Sequence, residues 1–255
     1  MAYLDSRRAD YPLLSNALAV YGEIFSVQSR AHDQFEPMCP DEFGAEGGDR
    51  PTVPGSLPGL DADRPLRVLA EISDVLVSAS PDRRSEIESA RASCERNGAL
   101  LRRSAGSMDH LSSAAQTLVL LALNPFYEKL ARKVIPHIEE RVWKFGQCLV
   151  CGDRPSMAGY EGSIGARFVQ CRLCRTQWQA GRIRCAFCGC EDPHKLGYLQ
   201  AENDRAHRAD TCDSCRGYLK AVDERALGTE AILHVEELLM TALDREAIAR
   251  GYAPR

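Results

Sequence analysis

The chain has 255 residues, 44% hydrophobic and 27% charged, with a formal net charge of −4. That length and composition support one large domain or two modest ones around a packed core. The mildly acidic balance argues against a nucleic-acid binder working through bulk positive charge, and the longest aliphatic run, Leu118 to Leu123, is far too short to span a bilayer.

At the start, Ser6-Arg7-Arg8 resembles a twin-arginine signal, but Asp10 and Pro12 stand where its apolar run should begin, so no export signal is expected. Leu14, Leu18, Tyr21 and Phe25 recur at helical spacing, with Pro12 near the helix start, where it is tolerated. From Glu36 to Arg64 the chain turns to Pro, Gly and Asp, the composition of a linker or long loop. Asp63 is suited to cap a helix bearing Leu66, Leu69, Ile72 and Leu76, which Pro81 ends. A weaker stripe of Ile87, Ala90 and Cys94 follows, with Gly98 as its stop.

Asp109 begins a stronger helix carrying Leu111, Ala114, Ala115 and Leu118. Asn124-Pro125 then reads as a cap followed by a first-turn proline, opening a new helix through Phe126, Leu130, Val134 and Ile138 that Pro136 kinks or shortens. At Cys148 the periodicity changes. Alternating segments such as Arg167–Gln170 and Thr176–Gln179, separated by turns like Gly162-Ser163-Ile164-Gly165, predict β-hairpins. After Lys220 helical spacing returns, with Thr229 as cap, Ile232, Val235, Leu238, Leu239 and Ala242 on one stripe, and Gly251 past the end.

The predicted class is therefore α+β: a helical domain (1–145, with 36–64 as linker), two four-cysteine ribbon modules (146–183 and 184–222) and a C-terminal helix (223–255). The cysteines carry the chemistry. Eight of the eleven fall into Cys-x-x-Cys pairs, and the order repeats: Cys148-Leu149-Val150-Cys151-Gly152 is echoed by Cys185-Ala186-Phe187-Cys188-Gly189, and Cys171-Arg172-Leu173-Cys174-Arg175 by Cys212-Asp213-Ser214-Cys215-Arg216. Two intervening residues form a knuckle whose backbone N–H groups face the sulfurs while both thiolates converge on one ion, and glycine relieves the turn that follows. A gap of about twenty residues between knuckles suits a ribbon holding a tetrahedral four-sulfur shell.

Pairing neighbours gives a first site of Cys148, Cys151, Cys171 and Cys174 and a second of Cys185, Cys188, Cys212 and Cys215; an interleaved arrangement needs longer crossings. Zinc and iron both suit such a shell, and spacing does not separate them. A structural ion contributes on the order of 10–16 kcal/mol to folding its module, which hairpins this small require. Arg154, Arg167, Arg172, Arg175, Arg182 and Arg184 surround the first module, where local balance of thiolate charge is their simplest role. Cys39, Cys94 and Cys190 lie outside the shells, and His194 and His207 read as surface residues. No phosphate loop, nucleophile elbow or His-Glu-x-x-His helix is present, so no enzyme activity is expected.

These pairs in this order, closed by Cys212-Asp213-Ser214-Cys215-Arg216-Gly217-Tyr218-Leu219-Lys220, resemble the FdhE family of formate dehydrogenase accessory proteins. Asn124-Pro125-Phe126-Tyr127 ahead of the first pair, and Ala242-Leu243-Asp244 and Gly251-Tyr252 in the tail, extend the resemblance from about Asn124 to the C-terminus. It implies a cytoplasmic maturation factor, or chaperone, that binds the catalytic subunit of a molybdenum- or tungsten-dependent formate dehydrogenase. It also implies two rubredoxin-like modules holding iron on all eight paired cysteines. A relative serving another metalloenzyme, such as a hydrogenase, would carry the same marks. Two rivals stand beside it: a zinc-ribbon nucleic-acid or transcription-associated protein, and a rubredoxin-like electron-transfer protein. No nucleic-acid partner and no membrane insertion are expected, and a homo-oligomer is compatible with the sequence.

Overall fold

A computed structural model of the chain describes residues 2–37, 57, 59–61, 63–97, 108, 110–138, 143 and 146–254. It divides into two compact units: Met1–Glu139 with Leu149–Asp153 and Leu173–Arg175, and Glu140–Cys148 with Arg154–Arg172 and Thr176–Arg255. The class is α+β, with the helices of the N-terminal part preceding a sheet.

The first unit is built from α1 (Ala2–Asp10), α2 (Ser15–Asp33), α3 (Asp63–Ala79), α4 (Arg84–Arg96) and α5 (Ser113–Val134). Its core takes Leu18, Ile24 and Val27 from α2, Leu69 and Ile72 from α3, Ala90 and Cys94 from α4, and Leu118, Ala122, Phe126 and Leu130 from α5. Phe35 meets Phe126 edge-to-face at 5.2 Å, the arrangement ring quadrupoles favour. At the start of α3 it is Asp61, not Asp63, whose carboxylate accepts a backbone N–H, that of Arg64 at 3.0 Å. Most of the 36–64 linker, the Gly98 stop, Asp109 and Cys39 lie outside the described residues.

The expected break at Asn124-Pro125 does not occur. Helix α5 starts at Ser113, capped by Ser112 accepting from the Ala115 N–H, and runs unbroken through Pro125 to Val134. Proline in a helix interior costs about 3 kcal/mol, partly because the carbonyl four residues back loses its donor. Here that carbonyl, Leu121, accepts instead from Gln28 Nε2 of α2 at 2.8 Å. A side chain distant in sequence offsets the defect, and Asn124 is released from capping. Pro136 does end the helix, which tightens into a 3₁₀ turn over Ile135–His137.

The second unit carries β1 (Pro155–Glu161), β2 (Ala166–Cys171), β3 (Gln177–Gln179), β4 (Leu196–Leu199), β5 (His207–Cys212), β6 (Gly217–Asp223) and the short β7 (Ala253–Pro254). They form one sheet in the order β3-β2-β1-β6-β5-β4, with β7 beside β6. Two antiparallel ribbons are thus joined edge to edge: β1 runs parallel to β6, Met157 opposite Lys220 and Gly159 opposite Val222. Phe168 lies across from Gly159, and its ring occupies the space a β-carbon there would need.

The tail is not the single helix expected. It forms α6 (Glu224–Leu227), α7 (Leu233–Leu239) and α8 (Thr241–Ala249), and no side chain caps α7. Between the last two, Met240 leaves helical geometry at φ −98° and ψ 22° and buries its side chain with Met157, Phe168, Val222 and Leu233. Packing against the sheet wins over continuing one helix. Gly251 follows α8 in the left-handed conformation (φ 79°), the stop the sequence indicates.

Candidate metal centres

Each knuckle closes on a residue with positive φ. Gly152 (78°) and Gly189 (72°) follow the first knuckle of each ribbon, and Arg175 and Arg216 follow the second, both at 56°. The repeat therefore reaches backbone geometry, with two arginines held where glycine is usual at about 1–2 kcal/mol each. Local bonds fix the loops: Cys185 N–H donates to the Cys190 carbonyl at 2.8 Å and Cys171 N–H to the Thr176 carbonyl at 2.9 Å. Phe187 N–H points at Cys185 Sγ, 3.4 Å away.

The sulfurs meet in the sequential pairing. Cys148, Cys151, Cys171 and Cys174 bring theirs within 4.8 Å of one another, and so do Cys185, Cys188, Cys212 and Cys215. In the second group Cys185–Cys215 and Cys188–Cys212 lie 3.7 and 3.8 Å apart. A tetrahedron with metal–sulfur bonds of ~2.3 Å has edges of about 3.8 Å, so the spacing fits an ion at its centre and is far beyond a disulfide's ~2.05 Å. No cysteine among the described residues is in a disulfide. Each group can hold a metal ion, and four thiolates suit zinc and iron alike.

The two groups differ in exposure. In the first, Cys148, Cys151, Cys171 and Cys174 are 0, 4, 0 and 1% exposed; in the second, Cys185 and Cys212 are buried, Cys215 is half-buried and Cys188 is exposed. Burial pushes the Cys185 thiol up to about 12. For Cys188 the slight burial acts in the same direction but is outweighed by hydrogen bonds from the Cys190 backbone and neighbouring thiols, so its pKa is lowered.

The equivalent arginines anchor their knuckles differently. Arg175, largely buried, donates to Glu128 Oε2 at 3.2 Å and to Gln28 Oε1 at 3.1 Å. Arg216, half-exposed, donates to Asp213 and to the carbonyls of Arg250 and Gly251 at the end of α8, and stacks 4.2 Å from the Tyr252 ring centre. Asn124, which the sequence marked as a helix cap, and Tyr127 instead lie beside the first group. Asn124 Nδ2 donates to the Leu173 carbonyl inside a knuckle at 2.7 Å. The Tyr127 hydroxyl is buried and has no hydrogen-bond partner among the described residues. Burial raises its pKa, and the charges of Cys151, Asp153 and Cys174 add to the rise.

Other candidates fall elsewhere. Cys94 is fully buried on α4, its thiol 3.5 Å from the Ala115 carbonyl and pushed up to about 11 by burial, which marks packing. Cys190 belongs to neither group. His194 is exposed as expected, but His207 is not a surface residue. It is 4% exposed, bridging Asp204 (2.8 Å) and the fully buried Glu236 (2.7 Å). Two carboxylates on its two ring nitrogens make its burial tolerable, and single-sequence spacing carries no sign of the distant one, Glu236. Arg167, 3% exposed, pairs with Asp210 at 3.1 Å rather than serving the first group, and Arg184 pairs with Glu191 at 2.7 Å.

No family model matches the chain. By sequence it is similar to the "Protein FdhE homolog" of Aquifex aeolicus, 32% identical over 133 residues, 51% of this chain and 46% of that one. It is also similar to "Protein FdhE" of Escherichia coli O127:H6, 29% identical over 154 residues, 58% and 48% of the two chains. The matches thus span about half the length of these curated relatives. By fold it is similar to the crystal structure of the FdhE protein from Pseudomonas aeruginosa, with a TM-score of 0.66 and 22% identity over 95% of this chain and 87% of that one. Among the described residues no helix is long and apolar enough to cross a membrane.

Proposed function

We propose, from its similarity to FdhE proteins in sequence and in fold, that this chain is a cytoplasmic accessory protein that binds the catalytic subunit of a formate dehydrogenase and supports its assembly or activation. The eight paired cysteines are its metal ligands, one ion to each ribbon (146–183 and 184–222), and iron is the metal the family resemblance implies. It is not itself an enzyme. The observation that carries the reading is the convergence of four thiols twice over, with tetrahedral spacing in the second group. When bound, iron in such a shell supplies one-electron chemistry. The chain's own residues hold the shells: Asn124 and Arg175 brace the first, Arg216 the second.

The exposed Cys188 favours a second reading, in which the second group exchanges electrons with the client during maturation. Co-purification with the catalytic subunit tests the main proposal, beside client activity in a deletion strain. Association and a loss of activity are expected. No association, with full client activity in the deletion strain, overturns it. Visible thiolate-to-iron absorption with a reversible potential supports the second reading, and colourless protein with two zinc ions removes it.

A further inference from the structure

Beside the second cysteine group, in the sheet-bearing unit, lies a cavity of about 260 Å³ that no metal role explains. Its walls come from β1, β2, β4, β5 and β6 and from the segment Arg182–Phe187, with Cys185 and Cys212 in the lining. On β5 the lining takes Arg208, Asp210 and Cys212, with Thr211 beside them, whereas Ala209 packs with Tyr218 of β6 and with Ala247 of α8, so the cavity lies mainly on the sheet face opposite α8.

Arginine dominates its polar chemistry. Arg167 and Arg208 share the single carboxylate of Asp210, at 3.1 and 2.9 Å. The Arg208 guanidinium also sits between two aromatic rings, 4.1 Å from the centre of Tyr160 and 5.2 Å from that of Tyr198. Arg182, exposed at the rim, donates to the Ile164 carbonyl at 2.8 Å and has no carboxylate partner among the described residues. Around it stand three of the large hydrophobic side chains most open to water: Ile164 at 75% exposure, Ile183 at 62% and Tyr198 at 59%. An unpaired arginine ringed by exposed apolar groups is the surface pattern of an interaction site. The volume lies slightly below the ~300 Å³ at which pockets begin to enclose whole drug-sized ligands, so it suits a few side chains of a longer segment.

We propose that this cavity and its rim dock an acidic, apolar-flanked segment of a partner protein, a carboxylate meeting Arg182 while neighbouring apolar side chains cover Ile183 and Tyr198. Docking there sets the partner beside the open cysteine group. The inference rests on the accessory-protein reading for the identity of the partner, and on charge complementarity for the chemistry of the segment.

The test uses full-length, metal-loaded protein and the variants Arg182→Glu, Arg182→Lys and Tyr198→Ser, each checked for unchanged metal content and circular dichroism. Affinity for the purified formate dehydrogenase catalytic subunit is measured at low and high salt. Arg182→Glu is expected to weaken binding about tenfold, the scale of one lost charge-assisted hydrogen bond. Tyr198→Ser should weaken it several-fold, Arg182→Lys should retain most of it, and high salt should narrow the differences. A client that binds all variants as it binds the wild type overturns the docking site and leaves the proposed function standing. If the wild type binds no client, the proposed function fails, and an array of twelve-residue acidic-apolar peptides decides the cavity separately. Capture abolished by Arg182→Glu upholds it; no capture, or binding only of a single-stranded oligonucleotide, overturns it.

Discussion

The two cysteine groups share spacing, knuckle geometry and donor set, yet one is sealed and the other open. All four sulfur-bearing residues of the first are at most 4% exposed, whereas the second leaves Cys188 in contact with water. The arginines that follow their second knuckles repeat the contrast, Arg175 largely buried against Glu128 and Gln28, Arg216 half-exposed on the end of α8. On the proposal that each group holds an ion, one motif serves two physical roles. A shell shut away from solvent stabilises the fold around it; a shell with an exposed ligand can also exchange, react or meet a partner.

The largest test of that contrast removes one ligand from each group. Cys171→Ser should lose one ion and unfold its ribbon, forfeiting much of the roughly 10–16 kcal/mol a structural site contributes. Cys188→Ser should lose the other ion with a smaller fall in melting temperature, since its side chain buries little. Metal stoichiometry and thermal melts read both, and equal destabilisation would erase the distinction. A middle-sized effect separates the arginines. Arg175→Ala takes one of two arginine partners from the largely buried Glu128, Arg132 remaining at 2.8 Å, and also removes the bond to Gln28; it should cost about 2 kcal/mol, whereas Arg216→Ala, at a solvent-facing ion pair, should cost ~1 kcal/mol or less. Denaturant titrations of the two variants decide it.

The smallest effect concerns pH in the sheet-bearing unit. Burial disfavours protonated His207, but its bonds to Glu236 and Asp204 outweigh that and raise its pKa above the ordinary histidine value. Folding therefore favours the protonated form. The stabilisation is complete below about pH 6.5 and fades as pH rises through the raised value. Wild-type protein should lose melting temperature between pH 6 and 9 relative to His207→Gln, and parallel profiles would contradict the assignment.

How much of this was legible in the sequence follows from which interactions are local. Both cysteine groups, their partition and the glycine at Gly152 and Gly189 could be read because a knuckle is a few residues long and the four thiols of each group come from two such knuckles close in sequence. Helical stripes in α2, α3 and α5 were equally visible. What escaped depends on distant partners. Pro125 looked like a helix start because nothing nearby announces that Gln28 will satisfy the Leu121 carbonyl. His207 looked exposed because Glu236 lies twenty-nine residues away. The parallel pairing of β1 with β6 unites two ribbons that read as separate, and the tail breaks at Met240 because the sheet offers that side chain a buried place. The unequal exposure of the two groups is likewise a product of packing, invisible to a repeat that spells both alike.

Native mass spectrometry of anaerobically purified protein during a chelator titration, with alkylation mapping of the freed thiols, tests the central claim most directly. Two ions should be present at the outset and leave in two steps, the first exposing Cys185, Cys188, Cys212 and Cys215 while Cys148, Cys151, Cys171 and Cys174 stay protected. Protein carrying no ions and linked cysteines, or release that begins with the buried group, would contradict the account.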